Sequence, residues 1–207
     1  LHDALPIKYD KFGVLQWEAI SASGIQSEYE RPNWVTTDNS NNVFVAGYRY
    51  AGASVPVAII ILKYSPDGEL MWKKVVSPVN YLVGMSLRCE VDNNGNLYAG
   101  ATGVGGQAGF ALIKLDTNGT IVFTQHSAAN APGFFESMRI KGNKIVLSAS
   151  GGVPAGGDPN IASVAVWDTT GTLLWTAGVQ GRGGKDVEID DAGNVYVSCL
   201  GDYGAIA

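Results

Sequence analysis

Residues 89–100 read CEVDNNGNLYAG: β-forming residues, an aspartate, three turn-forming residues and an asparagine lead into an apolar and aromatic strand. The same pattern is found at residues 34–47 (WVTTDNSNNVFVAG) and at residues 187–197 (VEIDDAGNVYV), and a shortened copy covers residues 139–147. Self-similarity of this kind is the signature of a repeat architecture. The organisation of the chain therefore follows from the unit that is repeated.

A second pattern alternates with the first. It consists of an apolar run, a four-residue turn that ends in glycine, and an aromatic residue four positions later. The copy at residues 62–72 reads LKYSPDGELMW, and further copies cover residues 7–17, 113–123 and 166–175. The turn glycines are separated by 55, 51 and 52 residues: Gly13, Gly68, Gly119 and Gly171. The repeat is thus roughly fifty residues long.

Each pattern predicts a β-hairpin, because a β-forming run breaks at Asp, Asn, Ser or Gly and then resumes. The closing Gly or Asn suits a residue with positive φ, as in a type I turn followed by a bulge. Two hairpins supply four antiparallel strands per repeat, which we name a to d from the inside outward. Repeated four-stranded units predict the blades of an all-β propeller.

The strand composition supports this order. The third strand, as at residues 57–64 and 110–115, is apolar almost without alternation, as expected for a strand covered on both faces by neighbouring blades. The fourth strand, as at residues 69–74, carries charges that protect an outer edge from unwanted pairing.

The strand count predicts a single propeller fragment over residues 1–207. We expect half a blade at 4–19, blades at 33–76, 86–126 and 137–178, half a blade at 186–200, and the start of another strand at 204–207. In a four-bladed ring that last segment would duplicate the strand near Lys8. We therefore expect about four blades of a larger ring.

These hairpins resemble the SBBP-type β-propeller repeat family. The resemblance covers nearly the whole chain from Lys8, with departures in the shortened copy at 139–149, which lacks the aspartate, and at Val166, where other copies have lysine. It implies a bacterial, secreted or surface-attached, multi-repeat protein, and it implies no defined activity. Residues 1–7 resemble a translated sequencing adaptor and are left out of the functional reasoning.

Composition excludes several partners. The net charge is -5 and no Lys/Arg cluster is present, which argues against nucleic acid and against a polybasic membrane patch. The longest apolar run, residues 57–62, is far too short to span a bilayer. Gly reaches 27 residues and charged residues only 16%, a profile of short strands and tight turns.

The sequence predicts no catalytic, cofactor or metal site. The turns at Asp38, Asp92 and Asp190 resemble calcium loops but lack the glycine and bidentate acid of an EF-type loop, so we interpret them as turn caps. Residues 165–175 are similar to the tryptophan-docking motif of quinoprotein propellers, which is itself structural. Outside residues 1–7, His126 is the only histidine, so a histidine-based catalytic site is not expected. The two cysteines, Cys89 and Cys199, are expected to be free thiols.

One charge pattern follows the innermost strands. Glu90, Arg139 and Glu188 each stand two positions before the turn, where Thr36 occupies the corresponding place in another copy. Because side chains alternate along a strand, these residues should lie on the same side of successive blades. We expect an alternating charge series near the axis, in which each charge offsets the desolvation of its neighbours; the alternative is independent solvation in a wet channel.

The longer b-to-c and d-to-a connections define a predicted loop face, opposite the short turns. They contain aromatic and arginine residues, which are common anchors of protein interfaces and can also stack on sugars. We therefore expect a non-catalytic interaction or structural module that binds protein or carbohydrate; the alternative is an accessory propeller of a larger extracellular enzyme. The loop-face candidates are Tyr29, Arg31, Tyr48, Arg49, Tyr50, Tyr81, Phe134, Phe135, Arg182 and Tyr203.

Overall fold

A computed structural model describes residues 6–21, 28–51, 56–76, 87–103, 109–127, 134–152, 161–180 and 183–199. Every regular element in these ranges is a β-strand, and each paired strand is antiparallel to its neighbours. The strands are β1 Ile7–Tyr9, β2 Leu15–Glu18, β3 Glu28–Thr37, β4 Val43–Ala51, β5 Pro56–Tyr64, β6 Leu70–Val76, β7 Arg88–Val91, β8 Leu97–Gly103, β9 Gly109–Leu115, β10 Ile121–His126, β11 Phe134–Lys141, β12 Lys144–Gly152, β13 Ile161–Asp168, β14 Leu173–Gln180, β15 Gly184–Ile189 and β16 Val195–Cys199.

The strands form three four-stranded sheets and two two-stranded sheets. The complete sheets, which we call blades 1, 2 and 3, run β3–β6, β7–β10 and β11–β14, and in each the strand order follows the chain. The hairpin β1–β2 precedes them and β15–β16 follows them. By their place in the repeat, β1–β2 supplies strands c and d, while β15–β16 supplies strands a and b.

The hairpin turns have the geometry that the sequence predicts. In the turn of blade 2, the backbone N–H of Gly95 donates to the carbonyl of Asp92 at 3.0 Å, and that of Asp92 donates to Asn96 at 2.9 Å. Gly95 has a φ of 80°, a conformation that costs a residue with a Cβ about 1–2 kcal/mol. At the corresponding place in blade 1, Asn41 adopts a φ of 61°.

Two inner strands begin earlier than the sequence predicts. Strand β3 begins at Glu28 rather than near residue 33, because a bulge between Pro32 and Trp34 absorbs the proline and lets the pairing continue. Strand β11 begins at Phe134 rather than near 137, with a similar irregularity between Phe135 and Ser137. The strand expected at 204–207 lies outside the described residues.

The apolar core lies between the blades rather than within one of them. Strand β5 is buried from residue 58 to residue 64, which confirms that the third strand is covered on both faces. One cluster joins blades 1 and 2 through Phe44, Ile61 and Leu97, and another joins blades 2 and 3 around Phe110 and Trp167. The first strands contact one another in succession, β3 with β7, β7 with β11 and β11 with β15, so they form the inner wall.

Candidate functional site

The aspartate turns are closed by their own backbone and side chains. One carboxylate oxygen of Asp92 accepts hydrogen bonds from the backbone N–H groups of Asn94 and Asn96, both at 2.9 Å, and the other accepts from the Asn96 amide at 2.9 Å. Asp190 has the same arrangement, and the Asn194 amide that donates to it lowers the pKa of this carboxyl. Among the described residues, no group of three or more His, Cys, Asp or Glu side chains is placed to hold a metal ion.

The aromatic residue of the second pattern docks on the next blade. The Trp17 indole donates to the carbonyl of Pro66 at 2.9 Å, and a Cβ added to Gly68 would lie 2.7 Å from its ring. Trp72 repeats the contact on Gly119 and donates to Thr117 at 3.2 Å. Phe123 lies in the same way against Gly171.

Lysines of the c strands add to this contact. The Lys8 ammonium group donates to the same Pro66 carbonyl at 2.8 Å, and Lys114 donates to the corresponding carbonyl of Thr169 at 2.9 Å. Since the carbonyl belongs to the turn that closes with the docking glycine, the second pattern is a blade-to-blade connector. In the segment similar to the quinoprotein motif, Trp167 is a buried core residue of β13.

The structure brings the predicted inner charges together. Arg139 in β11 lies between blade 2 and β15, with nitrogen-to-oxygen distances of 3.5 Å to Glu90 and 3.6 Å to Glu188. It also approaches Asp186 at 3.3 Å. Burial raises the pKa of Glu90, while the backbone N–H of Ile140, which donates to it at 2.9 Å, and the charge of Arg139 oppose that rise.

The inner charge array is larger than the sequence predicted. Glu136 accepts hydrogen bonds from Lys185 at 2.7 Å and from the Ser150 hydroxyl at 2.6 Å. Arg88 donates to the Glu136 carbonyl and lies 4.1 Å from the ring centre of Trp34. Two of the missed residues had a signal in the sequence: Arg88 and Asp186 stand two positions before Glu90 and Glu188, so strand periodicity places them on the same side.

The predicted loop-face residues divide into three groups. Tyr48, Tyr50 and Phe135 are buried within strands, so the expectation that they lie on exposed loops is wrong: β4 and β11 extend further than the pattern suggested, and neighbouring blades cover these rings. Tyr29 and Arg31 lie in β3 and Arg49 lies in β4, so these residues too are in strands rather than loops, but they remain partly or fully accessible at this end of blade 1. Outside the described residues lie Tyr81, Arg182 and Tyr203, while Phe134 is described only as part of β11.

A buried ionic network fixes this end of blade 1. The Glu30 side chain is fully buried and receives the Arg49 guanidinium at 2.9 Å and the Lys73 ammonium at 2.8 Å. The Ser21 hydroxyl, which follows β2, donates to Glu30 at 3.1 Å. The second carboxylate, Glu28, lies 3.5 Å from Arg49. No pattern in the sequence predicts this network, because its members come from four separate strands or segments.

On the other face of the β3–β4 pair lies the loop-face cluster, which consists of Tyr29, Arg31 and Tyr50. The rings of Tyr29 and Tyr50 stack with centres 4.9 Å apart and planes 3° from parallel. The Arg31 guanidinium lies 5.8 Å from the Tyr50 ring centre, and the Arg31 residue is exposed. The cluster therefore places the exposed Arg31 cation beside a stacked pair of tyrosines, of which Tyr29 is partly exposed and Tyr50 is buried.

Comparison with known proteins shows the fold. No family model matches the chain, and no curated protein matches it. The solved Dos1 propeller is similar in structure, with a TM-score of 0.63 and 12% identity over 94% of this chain and 48% of that one. The computationally designed Ika4 protein has a TM-score of 0.51 and 15% identity over 87% of this chain and 96% of its own.

A third similar structure is a glycoside hydrolase family 43 arabinoxylan arabinofuranohydrolase from Bacillus subtilis, in complex with cellotetraose. Its TM-score is 0.51, with 14% identity over 94% of this chain and 54% of that one. The chain thus spans about half the length of the Dos1 propeller and of this hydrolase. Within the described ranges, no helix is long and apolar enough to cross a bilayer. The four-stranded antiparallel blades and these likenesses show that the chain has a β-propeller fold.

Proposed function

We propose that this chain is a non-catalytic interaction module of a secreted or surface bacterial protein of the SBBP-type repeat family, and that it binds protein or glycan through its loop face. The observation that carries the proposal is the loop-face cluster of blade 1. It holds an exposed Arg31 beside a stacked Tyr29–Tyr50 pair. Arginine and tyrosine are the residue types that anchor interfaces, and an aromatic edge also suits a sugar ring.

The cluster is preorganised. Tyr29 is held by its stacking on the buried Tyr50, so few side-chain rotations of these rings are lost when a ligand binds. Arg31 contacts the Tyr50 ring and leaves its guanidinium accessible for a carboxylate or hydroxyl group of a ligand. By contrast, the inner charges are engaged with one another, as Arg139 is with three carboxylates.

The proposal is tested by presenting the folded chain to a glycan microarray and to a phage-displayed peptide library, and by titrating each selected ligand calorimetrically. Arg31→Ala should weaken binding by about 30-fold, corresponding to about 2 kcal/mol. Lys11→Ala is the matched control, because it removes an exposed cation from the turn of β1–β2 on the opposite face. The proposal fails if neither library yields a ligand, or if both variants weaken binding equally.

The second candidate is an accessory propeller of a larger extracellular enzyme. The likeness to the family 43 hydrolase favours including its ligand, cellotetraose, among the soluble probes. Binding without loss of the tetrasaccharide, with weakening by Arg31→Ala, would favour an accessory carbohydrate-binding role. Release of shorter sugars would refute the non-catalytic proposal.

A further inference from the structure

The arginines of the described residues fall into two classes. Arg49 and Arg139 form ion pairs with carboxylates, at shortest nitrogen-to-oxygen distances of 2.9 Å and 3.3 Å. Arg31 and Arg88 form no ion pair within the described part of the chain, and each lies over an aromatic ring instead. Two guanidinium groups are therefore held by the fold without a carboxylate in direct contact.

Each ring is a platform for its arginine. The Arg88 guanidinium lies 4.1 Å from the ring centre of Trp34, and the Arg31 guanidinium lies 5.8 Å from that of Tyr50. Contact with a ring offsets part of the positive charge but uses none of the planar N–H donors that bind a carboxylate in pairs. Within the described residues, Arg31 keeps all of these donors, and Arg88 keeps all except Nε, which donates to the carbonyl of Glu136.

The two arginines lie close together at the loop end of the inner wall. Tyr29 and Trp34 both pack against the core between blades 1 and 2, and Arg31 shares the face of β3 with Tyr29. A bulge between Arg31 and Trp34 absorbs one residue, and their β4 partners are two residues apart, so the two positions are about 7 Å apart along the sheet. Because Arg88 lies on Trp34, its guanidinium is about one such step from Arg31.

The acidic side chains near Arg88 are engaged by other cations. Two of them approach Arg139, at 3.5 Å and 3.3 Å, and the third receives the Lys185 ammonium group at 2.7 Å. Their charges act on Arg88, but none of the three is within ion-pair distance of it: Glu90, Asp186 and Glu136. Arg88 is therefore able to form a direct ion pair with a ligand.

The rings beneath the arginines are poorly suited to stacking on a sugar. A sugar binds by covering an open aromatic face, but Tyr50 is buried, with Tyr29 stacked on it and Arg31 beside it. Trp34 is likewise occupied by Arg88. The surface instead offers N–H donors at two places about 7 Å apart, which is the distance between alternate side chains of an extended peptide.

Building on the proposed function, we propose that the ligand is a protein with an extended acidic segment. Two aspartate or glutamate side chains, separated by one residue, bind Arg31 and Arg88, which we call the arginine site. Each carboxylate accepts paired N–H bonds from one guanidinium, through the terminal nitrogens in the case of Arg88. The chain itself has a net charge of -5, which repels a long polyanion and favours a short acidic segment.

The proposal is tested by fluorescence anisotropy with a labelled glycine-rich peptide in which one glycine separates two aspartates. This spaced peptide should bind at least about tenfold more tightly than a peptide with adjacent aspartates, whose side chains point to opposite sides when the chain is extended. Replacing both aspartates by asparagine should weaken binding by at least about 30-fold, since the charge-assisted bonds are lost. Equal binding of the three peptides would overturn the proposal.

Variants of the chain locate the binding. Arg31→Gln and Arg88→Gln should each weaken binding of the spaced peptide by about tenfold, and Arg31→Lys should do nearly the same, because lysine lacks the planar pair of donors. Lys11→Gln is the matched control, since it removes an exposed cation on the opposite face and should leave the affinity unchanged. Arg31 is exposed, so its replacement tests the arginine site without disturbing the core. Equal effects of Arg31→Gln and Lys11→Gln would overturn the assignment.

Two sugar probes separate failure of this inference from failure of the proposed function. Cellotetraose and an oligogalacturonate are titrated beside the peptides. Sugar binding that Arg31→Gln weakens, without binding of the spaced peptide, would keep the loop face as a binding surface but overturn the acidic segment as its ligand. Binding of no peptide and no sugar, together with empty glycan and peptide libraries, would refute the proposed function as well.

Discussion

Glu30→Gln should destabilise the chain by about 3 kcal/mol. The substitution keeps the size of the side chain but removes the charge that balances Arg49 and Lys73, at 2.9 Å and 2.8 Å from a fully buried carboxylate. Removing one partner of a buried pair typically costs about 3–5 kcal/mol. The lower end applies because the Arg49 and Lys73 side chains keep 16% and 20% exposure and can regain some hydration.

The measurement is urea unfolding followed by tryptophan fluorescence, with the free energy taken by linear extrapolation. Glu188→Gln is the matched control, because the same substitution is made in an ion pair at 3.6 Å whose glutamate side chain is 68% exposed. Exposed ion pairs contribute about 0–1 kcal/mol to stability, so the free energy of unfolding of this variant should be close to that of the parent chain. Equal effects of the two variants would refute the view that the Glu30 network fixes the loop end of blade 1.

Two further predictions concern ionisation. The Thr170 hydroxyl donates to Asp168 and the Asn194 amide donates to Asp190, and these hydrogen bonds hold the pKa of each carboxyl below its ordinary value of 3.8. Each ionised carboxylate therefore contributes its full stabilisation of the fold above the pKa of the unfolded state. This stabilisation is lost as the pH falls through the lower pKa of the folded state. Unfolding free energy measured in urea should therefore drop between about pH 5 and pH 2, less steeply in the Asp168→Asn, Asp190→Asn variant; an unchanged slope would contradict the capping role. Cys89 is buried with its pKa raised by burial, and Cys199 is exposed, so a thiol reagent should modify one cysteine in the folded chain and two after unfolding; two rapid modifications in the folded chain would contradict the burial of Cys89.

The four-stranded blade could be predicted from the sequence because its hairpin turns depend on interactions between residues that are close together in the chain. Apart from the short turn between β11 and β12, each patterned hairpin turn contains an aspartate or serine and, three positions later, a residue of positive φ, and this spacing can be recognised in the sequence. The inner series of Glu90, Arg139 and Glu188 could be anticipated for a related reason. Strand alternation and the repeat together place equivalent positions side by side.

The loop end of blade 1 could not be read in the same way. The repeat pattern ends at residue 47 and so assigns Tyr48 and Tyr50 to the connection that follows it, but β4 continues through both and their rings pack in the core between blades 1 and 2. The members of the buried ionic network lie in different strands or segments, and their spacing in the sequence does not predict that they are in contact: Glu30, Arg49, Lys73 and Ser21. Contacts between distant segments depend on how the blades pack, which the repeat alone does not encode.

The docking of an aromatic ring on the turn glycine of the next blade is tested most directly by comparing Gly68→Ala with Gly13→Ala. Both glycines have similar positive φ, 88° and 81°, so the backbone strain of alanine is matched. Of the two, only Gly68 has an aromatic ring against it: the nearest atom of the Trp17 ring would lie 2.7 Å from the added Cβ. Urea unfolding should show that Gly68→Ala costs about 1–3 kcal/mol more than Gly13→Ala. Equal losses of unfolding free energy would contradict the docking of blade on blade through this turn.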